Sequence, residues 1–220
     1  MGIGAAARSN YSISMGYHND VQSTLNIHTV AIGSQNKADA SAASTQKTTL
    51  IGHDNHMRGN NAVIIGVGNN TTPNSYDDGS TIDVGAGDNA VVIGTLNKIG
   101  LRGASAASNG AASVIIGRQN ELGPTTAMYA IGAQNRLTVR AAGSYVFGAG
   151  AYMDAGQTLA LGLNHKVTAP NATAIGTRAQ VDSSADFSIV IGLDDAAGQS
   201  TNDPNLMSVQ GGNVSIGSGL

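Results

Sequence analysis

Five histidines are the residues whose chemistry can be asked about first: His18, His28, His53, His56 and His165. His53 and His56 flank Asp54 and Asn55 in one short polar stretch. A threefold axis through such a turn would gather three copies of one imidazole around a metal ion. The chain has no His-x-His pair and no ligand trio, so the stretch reads as a polar turn, with no metal and no cofactor assigned. Asp77–Asp78 and Asp194–Asp195 are the acidic pairs. Glycoside cleavage needs two carboxylates held roughly 5–10 Å apart on rigid elements. Neighbouring residues in stretches rich in Gly, Pro, Ser and Asn point in different directions, which disfavours that chemistry. The Gly-Gly-x-Gly-x-Asp pattern of calcium-binding rolls is also missing. Gly85-Ala-Gly87 is a fragment of a phosphate loop, but another apolar run, Val91-Val-Ile-Gly94, follows it where a helix is needed. No catalytic residue is assigned, and the chain is expected to be non-enzymatic.

Composition narrows the frame that holds these residues. Gly makes up 30 of 220 residues, charged residues 11% and aromatics 4%, with no Trp and no Cys. Disulfides and Cys-ligated zinc are excluded. Net charge is −3, without the basic footprint of a nucleic-acid binder. No apolar run nears the ~20 residues of a membrane helix, so membrane insertion is not expected. Met1 to Asn10 lacks the basic and apolar blocks of an export leader.

The apolar 41% of the chain is periodic. Val30-Ala-Ile-Gly-Ser-Gln-Asn36 returns as Val63-Ile-Ile-Gly-Val-Gly-Asn69, Val91-Val-Ile-Gly-Thr-Leu-Asn97, Val114-Ile-Ile-Gly-Arg-Gln-Asn120 and Tyr129-Ala-Ile-Gly-Ala-Gln-Asn135. The anchor glycines are Gly33, Gly52, Gly66, Gly94, Gly117, Gly132, Gly148, Gly162, Gly176 and Gly192, with weaker copies at Gly4, Gly16 and Gly217. Asn36, Asn55, Asn69, Asn97, Asn120 and Asn135 stand three residues after their anchors. The shortest common spacing is 14, as from Gly148 to Gly162 to Gly176. Gly66 to Gly94 spans 28, either two units or one unit with a long loop.

Short β-branched runs closed by Gly predict strands. The glycines and asparagines suit turn positions with positive φ, and the Asn column predicts a hydrogen-bonded side-chain ladder rather than a binding face. Each unit is therefore expected to be one coil of a β-solenoid, and thirteen anchors at ~4.8 Å predict a rod of about 60 Å. The residue before each glycine and the one five after it are large and apolar, which places them inside. Alternation then sends the middle residue of each run outward: Ala31, Leu50, Ile64, Val92, Ile115, Ala130, Val146, Ala160, Ala174 and Val190. Strands apolar on both faces are buried on both, so a homo-oligomer packed along the rod is expected.

The repeat domain is expected over 1–192, with insertions near 70–89 and 100–109. A loop and a capping hairpin around Gly211–Gly212 are expected over 193–220. Insertions in solenoids emerge on the surface and carry recognition. The candidate receptor contacts are Tyr76, Asp77, Asp78, Arg102 and Asn109.

Thr29-Val-Ala-Ile-Gly-Ser-Gln-Asn-Lys-Ala38 and Thr173-Ala-Ile-Gly-Thr-Arg-Ala-Gln-Val181 resemble the repeat of trimeric autotransporter adhesin heads. The resemblance covers most of residues 3–192 and implies a left-handed parallel β-roll, three parallel chains and a role in attachment. A heptad stalk and a C-terminal membrane barrel, the other parts of such adhesins, are not found in these 220 residues. Gly211-Gly-Asn-Val-Ser-Ile-Gly217 resembles a short segment of bacteriophage tail fibres. The expectation is an all-β homotrimer on a virion: a phage or phage-like tail fibre or receptor-binding tip. Its partners would be itself, a glycan or protein on a bacterial or host cell surface, and other fibre or tail proteins. The alternatives are a bacterial adhesin head or a purely structural particle fibre. A hexapeptide acyltransferase is disfavoured because its coil needs about 18 residues.

Overall fold

A computed structural model describes residues 3–7, 11–22, 28–39, 47–57, 61–69, 89–99, 112–123, 125, 127–192, 199–201, 204–205 and 207–210. Among them there is no helix, and every paired strand runs parallel to its neighbours. The molecule is a β-solenoid. One coil consists of a long strand ending just past its anchor glycine, a tight turn and a short strand, as in Val114–Arg118 followed by Glu121–Leu122. The long strands stack into a 12-stranded sheet and the short ones into sheets of four and seven. Twelve stacked strands at ~4.8 Å make a rod of about 50 Å.

The stacking is glycine on glycine. Gly16, Gly33, Gly52, Gly66, Gly94, Gly117, Gly132, Gly148, Gly162, Gly176 and Gly192 pair in one unbroken column. Gly66 pairs directly with Gly94, so the 28-residue spacing is one coil carrying a long insertion. At Gly117 the backbone adopts φ of 133°, outside the range of ordinary L-residues. A Cβ there would overlap the carbonyl oxygen of Gly132, and the same holds along the column.

The strand faces are the reverse of the expected ones. The middle residues Ala31, Leu50, Ile64, Val92, Ile115, Ala130, Val146, Ala160, Ala174 and Val190 point inward and are fully buried. Opposite them the short strands contribute Met57, Ile99, Leu122, Leu137, Met153, Val167 and Val181, also buried as their position five after the glycine predicts. The residue before the glycine (Ile32, Ile51, Ile65, Ile93, Ile116, Ile131, Phe147) faces out. The inward position two residues before the middle one holds Thr29, Thr48, Ala62, Ala90, Ser113, Met128, Ser144, Thr158, Ala172 or Ser188, small in all but one coil. Alternation along the run puts this position and the middle residue on one face, packed against the short strands, and leaves the residue before the glycine on the other.

The turn also differs from expectation. Positive φ falls at the glycine and two residues after it, at Gln35, Asp54, Leu96, Gln119, Gln134, Asn164 and Arg178, not at the asparagine. Gly4 occupies that second position. Ile3 accepts from the His18 amide just as Tyr17 accepts from Gln35, so Gly4 is a turn residue rather than an anchor. At the other end the sheet continues beyond Gly192. Met207–Gln210 pairs parallel with Ile189–Gly192, where the first arm of a hairpin was expected. The second expected arm and Gly217 lie outside the described residues.

Replacing Gly117 by Ala is expected to cost about 3 kcal/mol or more, from the φ strain plus the overlap with Gly132. Gly143→Ala, whose Cβ would meet nothing nearer than 3.6 Å, is expected to cost only the ~1 kcal/mol of a left-handed alanine. Thermal or urea melts of the two variants compare them directly.

Candidate functional site

The asparagine column lies inside the coil. Asn19, Asn36, Asn55, Asn69, Asn97, Asn120 and Asn135 are all fully buried. Asn97 shows how each one works. Its backbone N–H and its Nδ2 both donate to Asn69 Oδ1, at 3.1 and 3.0 Å. Its Nδ2 also donates to the Gly117 carbonyl of the next coil at 2.8 Å. Its Oδ1 accepts from the N–H and Nδ2 of Asn120. One amide thus ties three consecutive coils and satisfies the backbone groups at the bend. The column ends at Ala151, whose N–H donates to Asn135 Oδ1 at 3.0 Å. These side chains are covered and cannot meet a ligand.

His165 stands at the same position one coil after Ala151, three residues past Gly162, and is also buried. Its Nε2 donates to the Leu161 carbonyl at 3.0 Å. A carbonyl only accepts, so that nitrogen carries the proton, and Nδ1 is left without a partner. Burial pushes the imidazole pKa below its ordinary 6.5, with backbone groups at Leu161, Ala179 and Gly176 opposing the shift. The other histidines are apart. His53 Nδ1 meets Ser34 Oγ at 2.8 Å, and His28 stacks on Tyr11 at 5.1 Å. His18 stacks on Tyr17 at 4.1 Å. Among the described residues no three His, Asp or Glu side chains gather where a metal could be held.

The surface feature that stands out is the outer face of the long sheet. Two columns cover it. One holds Ile32, Ile51, Ile65, Ile93, Ile116, Ile131 and Phe147, each 36–43% exposed. The other, two residues earlier, holds Val63, Val91, Val114, Tyr129, Tyr145, Leu159 and Ile189. Tyr129 and Tyr145 stack nearly parallel, 3° apart, with centroids 4.6 Å from each other. Strict register carries the first column along the whole sheet, while Thr49 and Thr173 interrupt the second. A strip about 50 Å long and two side chains wide reaches the size at which an apolar patch on a monomer marks an interaction surface. Its period follows the sequence repeat, but it stands on the side of the strand opposite to the expected one.

The candidate contacts Tyr76, Asp77, Asp78, Arg102 and Asn109 lie outside the described residues, as do Asp194, Asp195 and Gly85 to Gly87. The roots of the two long insertions are described. Asn69 and Asn89 bracket the first and Ile99 and Ala112 the second, in consecutive coils whose long strands pair directly. No family model, curated protein or solved structure matches the chain.

Asn97→Ala is expected to destabilise the fold by roughly 2–4 kcal/mol, because it strands the Gly117 carbonyl and the Asn120 N–H in the interior; denaturant melts measure it. The His165 shift has a definite sign. A folded-state pKa below 6.5 means the unfolded chain binds the proton more readily. The stability from neutral His165 is therefore complete above pH 6.5 and falls as the pH drops below it. His165→Asn, which cannot titrate, is expected to flatten that acid limb in melts between about pH 7 and 5.

Proposed function

We propose that this chain is one protomer of a parallel homotrimer, a left-handed β-roll that serves as a non-enzymatic attachment module. The observation that carries the proposal is the unbroken isoleucine column on the outer face. Covering the exposed part of each isoleucine is worth about 1–2 kcal/mol, repeated at every coil. The cover must be straight, as long as the rod and matched to its ~4.8 Å step. A second copy of the same chain meets all three conditions, and a closed ring of copies covers the face on each.

Attachment follows from what assembly does to the insertions. Three parallel chains present three copies of 70–89 and of 100–109 at one level of the rod. Weak contacts by Tyr76, Asp77, Asp78, Arg102 and Asn109 then add through effective concentration. The resemblance to adhesin heads and to a tail-fibre segment supports a fibre or receptor-binding tip on a phage or phage-like particle, with a bacterial surface molecule as its receptor.

Two outcomes test the proposal. Ile93→Asp combined with Ile116→Asp buries charge in the shared face and is expected to yield a 22.0 kDa single chain in sedimentation. Deleting 71–88, or replacing Tyr76 by Ala, is expected to leave the assembly intact and to lower binding to target cells, by roughly tenfold or more for the deletion. Unchanged cell binding by both variants would make the rod a spacer instead of a receptor-binding tip.

A further inference from the structure

The outward column of the seven-stranded short sheet carries a different chemistry. In register along it stand Lys98, Glu121, Arg136, Tyr152, Lys166 and Gln180. Lys98, Arg136 and Lys166 are exposed, and Tyr152 is half-buried between the last two cations. Three of the chain's 11 Lys and Arg thus share one column, although net charge is −3. At the Lys98 end the column opens into a groove of about 330 Å³ lined by Leu96, Lys98, Gln119 and Glu121. Glu121 pairs with Arg136, Oε2 to Nε at 3.6 Å, and keeps lone pairs that can accept from hydroxyls. Gln134 Nε2 donates to Gln119 Oε1 at 3.5 Å, in the turn column beside it.

We infer that this strip binds an extended acidic polysaccharide laid along the rod axis. The cations recur at every second coil, about 9–10 Å apart. A polysaccharide with one carboxylate per two sugar rings repeats its charge on every second ring and meets that spacing. Duplex phosphates recur every ~3.4 Å along each strand, too densely for one cation in two coils. Amides, a carboxylate and a tyrosine ring between the cations suit a hydroxyl-rich chain, with the ring as an apolar face for a sugar. The strip lies on the short sheet and the isoleucine column on the long one, so both faces work at once. The inference rests on the reading of the chain as an attachment module and specifies one class of receptor for it.

The test uses the intact chain and a hyaluronan oligosaccharide as probe, with neutral dextran and a DNA duplex beside it. Hyaluronan is expected to bind at low salt and weaken as salt rises, with dextran not binding. Lys98→Gln, Arg136→Gln and Lys166→Gln together are expected to lower affinity at least about tenfold and to flatten the salt dependence. Tyr152→Ala is expected to weaken binding without changing the salt dependence. Melting and sedimentation of both variants should match the parent. No binding of hyaluronan by the parent, equal binding by the triple variant, or tighter binding of the duplex would each overturn the inference. Cell binding separates the two ideas. If the triple variant adheres like the parent while the 71–88 deletion does not, the strip fails and attachment through the insertion stands.

Discussion

From Asn19 to Gly148 this rod depends on the contact between a glycine carbonyl and an asparagine amide in adjacent coils, and beyond it the glycine-on-glycine pairing continues to Gly192. The bend after each long strand brings glycine over glycine so closely that no Cβ fits between them. The carbonyl exposed at that bend is taken by the Asn side chain of the previous coil, as at Asn97 and Gly117. Because the same side chain is also bonded to the preceding asparagine, a slip by one residue would break several buried bonds at once. Register is thereby fixed over these coils, and the glycine pairing extends it to Gly192. The buried middle residues, the outer isoleucines and the cations of the short sheet follow the same register.

The same constraint explains the unusual composition. A coil closed this tightly has a core of alternating hydroxyl, Ala and medium aliphatic side chains, with no place for large rings. β-Branched residues fill the inward middle positions and also stand on the outer surface, where they form an apolar face. A thin coil buries too little of its own surface to leave that face in water at no cost, which connects the local geometry to assembly. Charge is scarce because most columns serve backbone ties, the core or the apolar face. The column of Lys98, Arg136 and Lys166 is one of the few outward positions left to it.

Much of the architecture was legible in the sequence: the coil length, the glycine anchors, the parallel stacking and the continuous apolar columns. Size suggested that Ile93 fills the interior and Val92 faces out, but alternation puts Val92 on the same face as the buried Ala90 and leaves Ile93 on the other. The recurring small residues at the inward positions, such as Ala90, Ser113 and Ser144, were the available signal. Asn97 looked like a left-handed turn residue, whereas its neighbour Leu96 takes the positive φ and frees the Asn side chain to bond inward. His165 is one of five histidines in the sequence, and only its spacing of three from Gly162 marks it as standing where other coils place the asparagine. Tyr76 and Arg102 lie in stretches outside the repeat, where no periodic pattern constrains a side chain.

The central claim is that the outer isoleucine face is an internal surface of an assembly of identical chains. Native mass spectrometry of the unmodified chain at low micromolar concentration tests it most directly. The account predicts a species three times the 22.0 kDa chain mass, surviving dilution with no free protomer in exchange. A single 22.0 kDa chain under the same conditions, with its circular dichroism showing intact β-structure, would contradict it.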